Sequence, residues 1–328
     1  MFEEVISMEN LLNAWQEFVK GKRKRADVQV FERHLMTNLF QLHERLINGS
    51  YKHGPYERFT VSDPKHRVIH KATVADRVLH RAIYRKLYPL FDNTFIADLY
   101  SCRNNKGTHR AMNRFTKFAQ KVSINHRKTV WVLKCDIRKF FASVDHEILL
   151  SILSRRIQEI LRRSAPQDDR MIMLLERIIR SFPDGLPLGN LTSQLFANVY
   201  MDPLDQFIKH ILHERFYIRY ADDFVLLSTN RYRLERSLFM IDRFLQEHLY
   251  LTLHPQKVEI RTIASGVDFL GWVYFPDHCV LRTTTKRRIA RRLSLSTSKE
   301  SIASYVGLLQ HGNASKFAQS IQHLQKDA

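Results

Sequence analysis

The chain is predicted to be α+β, on three observations. Thr129-Val130-Trp131-Val132-Leu133-Lys134-Cys135-Asp136 is a β-branched and aromatic run that reads as a buried strand ending in an acid. Phe216, Ile218 and Tyr220 alternate with Tyr217 and Arg219, break at a short polar step, and give way to Phe224-Val225-Leu226-Leu227, which is the pattern of a β-hairpin. Long segments of helical period surround both stretches without a regular strand–helix–strand rhythm. The 328 residues are 44% hydrophobic and 26% charged, which suits a large core. No repeat, low-complexity tract or Gly/Ser linker marks a boundary, so about two or three interwoven sub-domains are expected.

In chain order, Ser7 is placed to cap a helix with Leu11, Leu12, Trp15, Phe18 and Val19 on its apolar side. The basic connector Lys20-Gly21-Lys22-Arg23-Lys24-Arg25 follows, suited either to solvent or to phosphate contact. Asp27 is expected to cap one helix running through Val30, Phe31, Leu35, Leu39, Leu42 and Leu46, with Gly49 at its C-terminal cap. Tyr56 to Val61 and Arg67 to Lys71 read as extended, joined by a turn at Asp63-Pro64, and Val74 to Phe91 as a helix. Ser101 to His109 is a polar, Gly-containing turn able to present Arg103 and Lys106 to phosphates. Asp145 caps a helix towards Arg163, Ala165 to Asp169 breaks it, and Met171 to Ile179 resumes it. The loop Asp184 to Asn190 feeds a helix from Thr192 to about His213. After the hairpin come a helix from Arg233 to Glu247, an extended stretch from Leu251 to Arg261, a hairpin around Gly271 and a basic helical end from Thr283.

Charge narrows the class of partner. Lys and Arg number 52 against 33 acids, a net charge of +19, which favours a polyanion through counterion release. Nucleic acid leads. Membrane binding would want a basic amphipathic helix or lipidation site at a terminus, and no apolar run approaches a span. The acidic start Met1-Phe2-Glu3-Glu4 lacks the regions of a signal peptide. Cys102, Cys135 and Cys279 lie far apart with no metal spacing, so a reducing cytoplasm is expected.

The chemistry points to Tyr220-Ala221-Asp222-Asp223. Two like charges in a turn between buried strands are costly unless a cation meets them, and hard divalent cations take carboxylate and phosphate oxygens together. Two-metal phosphoryl transfer needs carboxylates from separate elements holding ions about 3.5–4 Å apart. Asp136 at a strand end supplies the second element.

These stretches resemble the motifs of reverse transcriptases. Lys134 to Asp145 is similar to their first catalytic motif, and Tyr220 to Leu227 (YADDFVLL) to their second. Gly185-Leu186-Pro187-Leu188-Gly189-Asn190-Leu191-Thr192-Ser193-Gln194 stands where their nucleotide-pocket motif does. Arg67 to Arg81 and Leu99 to Ala111 are similar to the fingers motifs, Leu253 to Lys257 to the lysine-bearing motif, and Phe269-Leu270-Gly271-Trp272 to the primer grip. The resemblance covers roughly Tyr51 to Phe275, in order.

It implies a right-hand polymerase fold with fingers, palm and small helical thumb, plus an N-terminal helical extension. The implied boundaries are 1–50 extension, 51–130 fingers, 131–282 palm with a helical insertion at about 151–185, and 283–328 thumb. Asp136 and Asp222 would hold two Mg²⁺ ions, with Mn²⁺ as a substitute. The Ile137 carbonyl would complete one shell, and Asp223 would stand further from the ions. Arg67, Lys71 and Arg103 would hold the incoming triphosphate, and Lys257 would steady the leaving pyrophosphate. Lys286, Arg287, Arg288, Arg291 and Arg292, with Gly271 of the primer grip, would follow the template–primer backbone. Phe141, five residues after Asp136, stands where RNA-synthesising relatives place an acid that bonds the 2′-hydroxyl. An aromatic ring there implies deoxynucleotides.

Within the family, Leu188 before Gly189 and Gln194 after Ser193 replace the usual glutamine and proline. That combination, with Phe196 to Tyr200 and Leu204-Asp205, resembles the enzymes of diversity-generating retroelements in phages and bacteria. These copy a template RNA into cDNA with errors at adenines, for mutagenic retrohoming into a target gene. A chain of this length is expected to carry no RNase H, endonuclease or maturase domain. The implied partners are template RNA, the primer and cDNA strand, dNTPs and a small basic, ring-forming accessory variability protein, with no membrane. The implied location is the cytoplasm of a bacterium or phage-infected host. A retron-like or group II intron-related enzyme, and a non-catalytic RNA-binding or antiphage protein, are the competing expectations.

Overall fold

The computed structural model describes residues 1–62, 66–161, 169–295, 299–309, 312–314, 317, 319 and 321. Its helices and strands, in order, are α1 (Phe2–Ile6), α2 (Met8–Val19), α3 (Ala26–Arg33), α4 (Leu35–Ile47), β1 (Glu57–Val61), β2 (Arg67–Lys71), α5 (Val74–Asp92), α6 (Thr108–Ser123), β3 (Trp131–Asp136), α7 (His146–Leu161), α8 (Asp169–Ile179) and α9 (Leu191–Gln206). There follow β4 (Tyr217–Tyr220), β5 (Asp223–Ser228), α10 (Arg231–Leu249), β6 (Glu259–Thr262), β7 (Val267–Phe269), β8 (Trp272–Tyr274), β9 (Cys279–Leu281), α11 (Thr283–Leu295) and α12 (Lys299–Leu309). The turn expected at Asp63-Pro64, the helix end at Arg163 and most of the break expected over Ala165 to Asp169 lie outside the described residues. Among the described residues the strands form the hairpin β1–β2, a four-stranded sheet in the order β4-β5-β3-β6, and the three-stranded β7-β8-β9.

The chain divides into two compact units. The first comprises Met1–Ala97, Arg138–Phe207 and Phe244–Thr252. Its spine is α5, whose Val78, Leu79, Ala82, Ile83 and Leu87 are fully buried. Asn10 Nδ2 donates to the carbonyls of Val5 at 2.8 Å and Ala82 at 3.1 Å, which ties α1, α2 and α5 together. Ser7 caps α2 as expected, its Oγ accepting from Asn10 N at 3.2 Å.

The single helix expected after Asp27 is instead two. His34 breaks it at φ −120°, ψ 37°, and Asn38 Nδ2 donates to the Phe31 carbonyl at 2.9 Å across the step. Asp27 is not the cap either. Arg25 stands at the N-cap, and the Asp27 carboxylate lies in the first turn, paired with Lys71 Nζ at 2.9 Å and with Arg77. Cations distant in sequence outbid the local amides. The helix expected to reach His213 ends as α9 at Gln206, with Pro203 inside its last turn, and the chain continues as a π turn over Phe207–Ile211.

The second unit comprises Asp98–Ile137, Ile208–Arg243 and Leu253–Ala328. Here the four-stranded sheet packs on α6, the small sheet and α11. Phe115 of α6 meets Phe269 and Tyr274 at ring distances of 5.6 and 4.4 Å. Ile289 and Leu293 of α11 are buried in the same core. Of the extended stretch expected from Leu251 to Arg261, only β6 is a strand. Lys257 sits in the turn before it, its amide donating to the His254 carbonyl at 3.0 Å.

Candidate active site

The sheet register of the second unit sets the carboxylates. β3 lies between β5 and β6, and antiparallel pairing places Asp136 directly opposite Asp223. Cross-strand partners project from the same face, so the two acids are neighbours. Tyr220 pairs Asp223, leaving Ala221 and Asp222 as a two-residue turn. Asp223 is therefore the first residue of β5 rather than part of the tip. Ile137 N donates to the Asp222 carbonyl at 3.2 Å, fastening the turn to the end of β3.

Such crowding has an electrostatic consequence. The Asp223 carboxyl is pushed up to about 7 by burial. Lys134 opposes the shift, and Asp136, Asp222 and Asp268 add to it. Its Oδ1 is buried and accepts no hydrogen bond. Lys257 Nζ donates to Asp136 Oδ1 at 2.7 Å, and His254 N to the Asp136 carbonyl, also at 2.7 Å. Burial, with Asp223, Asp242 and Asp136, pushes up the thiol of Cys135.

Among the described residues no three His, Cys, Asp or Glu side chains converge as a ready-made metal site. The donors present nevertheless suit a hard divalent cation. Asp223 offers an orphaned carboxylate oxygen, Asp136 already holds an ammonium where a cation would sit, and all the donors are oxygens. Asp136 and Asp222, with the Ile137 carbonyl, are the residues that would hold it.

Of the other residues expected in the site, this unit holds Arg103, half-buried in the loop before α6, and the basic face of α11. Arg287, Arg291 and Arg292 are exposed there, with Lys286 and Arg288 half-buried. Gly271 turns β7 into β8 at φ +86°, and its carbonyl accepts from Arg282 N at 3.1 Å.

The first unit holds the remaining residues expected in the site. Leu188 is half-buried, and its carbonyl accepts from His70 N of β2 at 2.9 Å; Asn190 Nδ2 returns a bond to the His70 carbonyl at 3.0 Å. The pocket loop is thereby tied to the β1–β2 hairpin. Gly189, at φ +106°, abuts Ile69: a Cβ would come within 2.6 Å of Ile69 Cγ2.

A cavity of about 280 Å³ opens beside these residues, lined by Lys22, Arg25, Lys71, Arg81, Asn190 and Gln194 among others. Burial, then Arg81, Arg25 and Arg77, lower the Lys22 ammonium below its usual range, which is the mark of cations crowded without enough counter-charge. Asn190 Oδ1 is buried there without a hydrogen-bond partner. The cavity thus fits a polar anion. Lys71 reaches it already paired with Glu57 and Asp27, at 2.9 Å each. Arg67 is exposed at the start of β2.

Phe141 lies in a 3-10 turn over Phe140–Ser143 and is half-buried. Its carbonyl accepts from Leu186 N at 2.7 Å. Gly185 sits against this backbone at φ +67°, where a Cβ would come within 2.2 Å of the Phe141 carbonyl oxygen. Gly185→Ala is expected to cost about 3 kcal/mol, from positive φ and backbone overlap together. Thermal melting should register it as a fall of roughly 5–10 °C.

Sequence reasoning passed over Arg219, which is completely buried. No periodicity marks it, because both faces of this strand are covered.

A family model described as "Reverse transcriptase (RNA-dependent DNA polymerase)" matches residues 55–274. Protein YkfC of Escherichia coli (strain K12) is 25% identical over 285 residues, covering 72% of this chain and 71% of that one. Group II intron-encoded protein LtrA of Lactococcus lactis subsp. cremoris is 21% identical over 178 residues, covering 50% of this chain and 27% of LtrA. Among solved structures, telomerase from Candida albicans in complex with a TWJ fragment of telomeric RNA superposes with a TM-score of 0.53 at 10% identity. That match covers 82% of this chain and 54% of that one. The chain therefore spans well under two thirds of LtrA and of the telomerase chain.

Proposed function

The chain belongs to the reverse transcriptase (RNA-dependent DNA polymerase) family, and on that premise we propose that it copies RNA into DNA by nucleotidyl transfer at Asp136, Asp222 and Asp223. Its fold is the right-hand polymerase fold. The observation that carries the proposal is the register of Asp136 against Asp223, with Asp222 in the adjoining turn, inside the span matched by the family. In the same reading, residues 1–50 are an extension, 51–130 fingers, 131–282 palm with its insertion, and 283–328 thumb.

Two Mg²⁺ ions, when bound, would activate the 3′-hydroxyl and offset charge on the transferring phosphoryl group. Asp136 and Asp222 would hold them with the Ile137 carbonyl, and Asp223 would stand behind as a carboxylate whose charged form burial disfavours. Lys257 neutralises Asp136 beforehand; released from it, the ammonium is assigned to the leaving pyrophosphate. Arg67 and Arg103 are assigned to the incoming triphosphate. Lys71 joins them only by giving up Asp27 and Glu57. The basic face of α11 follows the template–primer backbone. Primer extension on an RNA template, with purified protein, Mg²⁺ and dNTPs, tests the reading. No extension, with RNA still bound, would favour a scaffold instead.

The finer reading is the mutagenic retroelement subtype. Leu188 and Gln194 support it: an apolar residue on the pocket loop and an exposed amide at the mouth of the cationic cavity. A pocket without the usual polar and rigid groups discriminates less, since specificity is a difference in transition-state binding. Leu188→Gln and Gln194→Pro are each expected to lower misincorporation opposite template adenine by about 3- to 10-fold. Sequenced cDNA from a defined template measures it, and identical error spectra would remove the subtype. A group II intron-related enzyme is the second reading, favoured by the alignment with LtrA. It predicts a low adenine error rate before any substitution. The mutagenic reading brings with it a small basic ring-forming accessory protein and a cytoplasmic location.

A further inference from the structure

The loop before α6 is fastened to the β4–β5 hairpin. Among the described residues β4 is the outer strand of its sheet, so one of its edges has no strand partner in the sheet order. Leu99 supplies one residue of pairing, an isolated parallel bridge to Arg219. Arg219 N donates to the Asp98 carbonyl at 3.1 Å, and Tyr100 N to the Arg219 carbonyl at 3.0 Å. Ala221 N, inside the turn, donates to Ser101 Oγ at 2.9 Å. Thr108 Oγ1 donates to Tyr220 Oη at 3.2 Å. Within the hairpin, Arg219 Nη1 donates to the Ala221 carbonyl at 3.1 Å.

Both backbone groups of Ala221 are therefore held by side chains. Ala221 sits at φ +57°, a conformation that a residue with a Cβ keeps only when its surroundings fix it. Arg219 and Ser101 are 0% and 2% exposed. A fully buried guanidinium is expensive to desolvate, and an aliphatic side chain would pack an outer strand at no such cost. The loop is stiffened in turn: Gly107 N donates to the Tyr100 carbonyl at 2.9 Å, and Lys106 Nζ lies 5.0 Å from the centre of the Tyr100 ring.

We propose that Arg219 and Ser101 are positioning residues that lock the Ala221–Asp222 turn to the loop carrying Arg103. Carboxylates and triphosphate-binding loop then move as one body. The proposal rests on the polymerase reading above. Loosening the lock leaves Arg103 able to bind a nucleotide but lets the carboxylates drift from it. The loss then falls on kcat rather than KM.

The test is Ser101→Ala, in the full chain, by single-nucleotide extension kinetics and by amide hydrogen exchange. Melting close to that of the unaltered protein is expected. With it should come a kcat lower by about 10- to 100-fold, a KM for dNTP within about twofold, and faster exchange confined to the peptide spanning Tyr217 to Phe224. Arg219→Lys keeps the charge but not the fork, and should lose at least as much. If that variant does not fold, Ser101→Ala and Thr108→Val still decide. An unchanged kcat, a loss carried wholly by KM, or unchanged exchange at the turn overturns the proposal. If the unaltered protein extends no primer, the polymerase reading fails, and the exchange measurement alone judges the lock.

Discussion

Replacing Asp222 by alanine is expected to lower primer extension by about a thousandfold or more while leaving RNA binding intact. The loss corresponds to roughly 4 kcal/mol of transition-state stabilisation at 1.36 kcal/mol per decade. The substitution spares the fold for a specific reason. Asp222 enters the backbone network through its carbonyl, which accepts from Ile137 N at 3.2 Å, and alanine keeps that carbonyl. Removing one of three crowded carboxylates also relieves the repulsion that helps push Asp223 up to about 7. Melting should therefore hold or rise, as happens where a site is arranged for chemistry at the expense of stability. Asp223→Asn should cost less activity, because in the proposed site Asp223 stands behind Asp136 and Asp222 rather than holding the ions, and burial already disfavours its charged form. Extension kinetics, RNA affinity and melting on the same preparations check the set. An active Asp222→Ala would remove the carboxylates from the mechanism.

Much of this site was legible from residue order alone, because its parts are local. Strand alternation located β3 and the β4–β5 hairpin, and the caps at Ser7 and Asp145 follow from their own neighbours: Ile148 N donates to Asp145 Oδ1 at 3.0 Å. Local misreadings occur at His34 and Gln206, but the misplaced charged residues are all long-range cases. Asp27 has the sequence context of a cap, yet Lys71 and Arg77 take its carboxylate across tens of residues. Arg219 stands in a period-two run that gives it no role, yet the loop at Asp98 to Ser101 pairs with that edge and its guanidinium donates to the turn. Lys257 rests on Asp136 in the structure, a pairing that its own sequence context does not mark. In each case a charged side chain found a partner that neither periodicity nor propensity encodes. Charge pairing depends on tertiary distance, which hydrophobic pattern fixes only for the apolar faces.

Phe141→Ala is expected to raise ribonucleotide use relative to deoxynucleotide by on the order of a hundredfold. The position is five residues beyond Asp136. Its backbone is secured independently of its ring: the Phe141 carbonyl accepts from Leu186 N at 2.7 Å, and the turn begins at Lys139, whose carbonyl accepts from Ala142 N at 2.9 Å. Gly185 closes against the same carbonyl, where even one methyl group would not fit. Truncating the side chain thus empties a volume without moving the chain that frames it. The ring meets Phe140 edge-on at 5.4 Å, an apolar neighbour that offers a 2′-hydroxyl no acceptor. Steric exclusion and a missing hydrogen bond would act in the same direction, so the proposed polymerase reading assigns the selectivity to the ring. Phe141→Leu should fall between, since it keeps part of the bulk. The ratio of kcat/KM for dNTP over rNTP, measured for all three proteins on one template, separates this from a packing role. A core phenylalanine would lower both rates together and leave the ratio where it was, whereas a gate lowers the ratio by admitting the ribonucleotide.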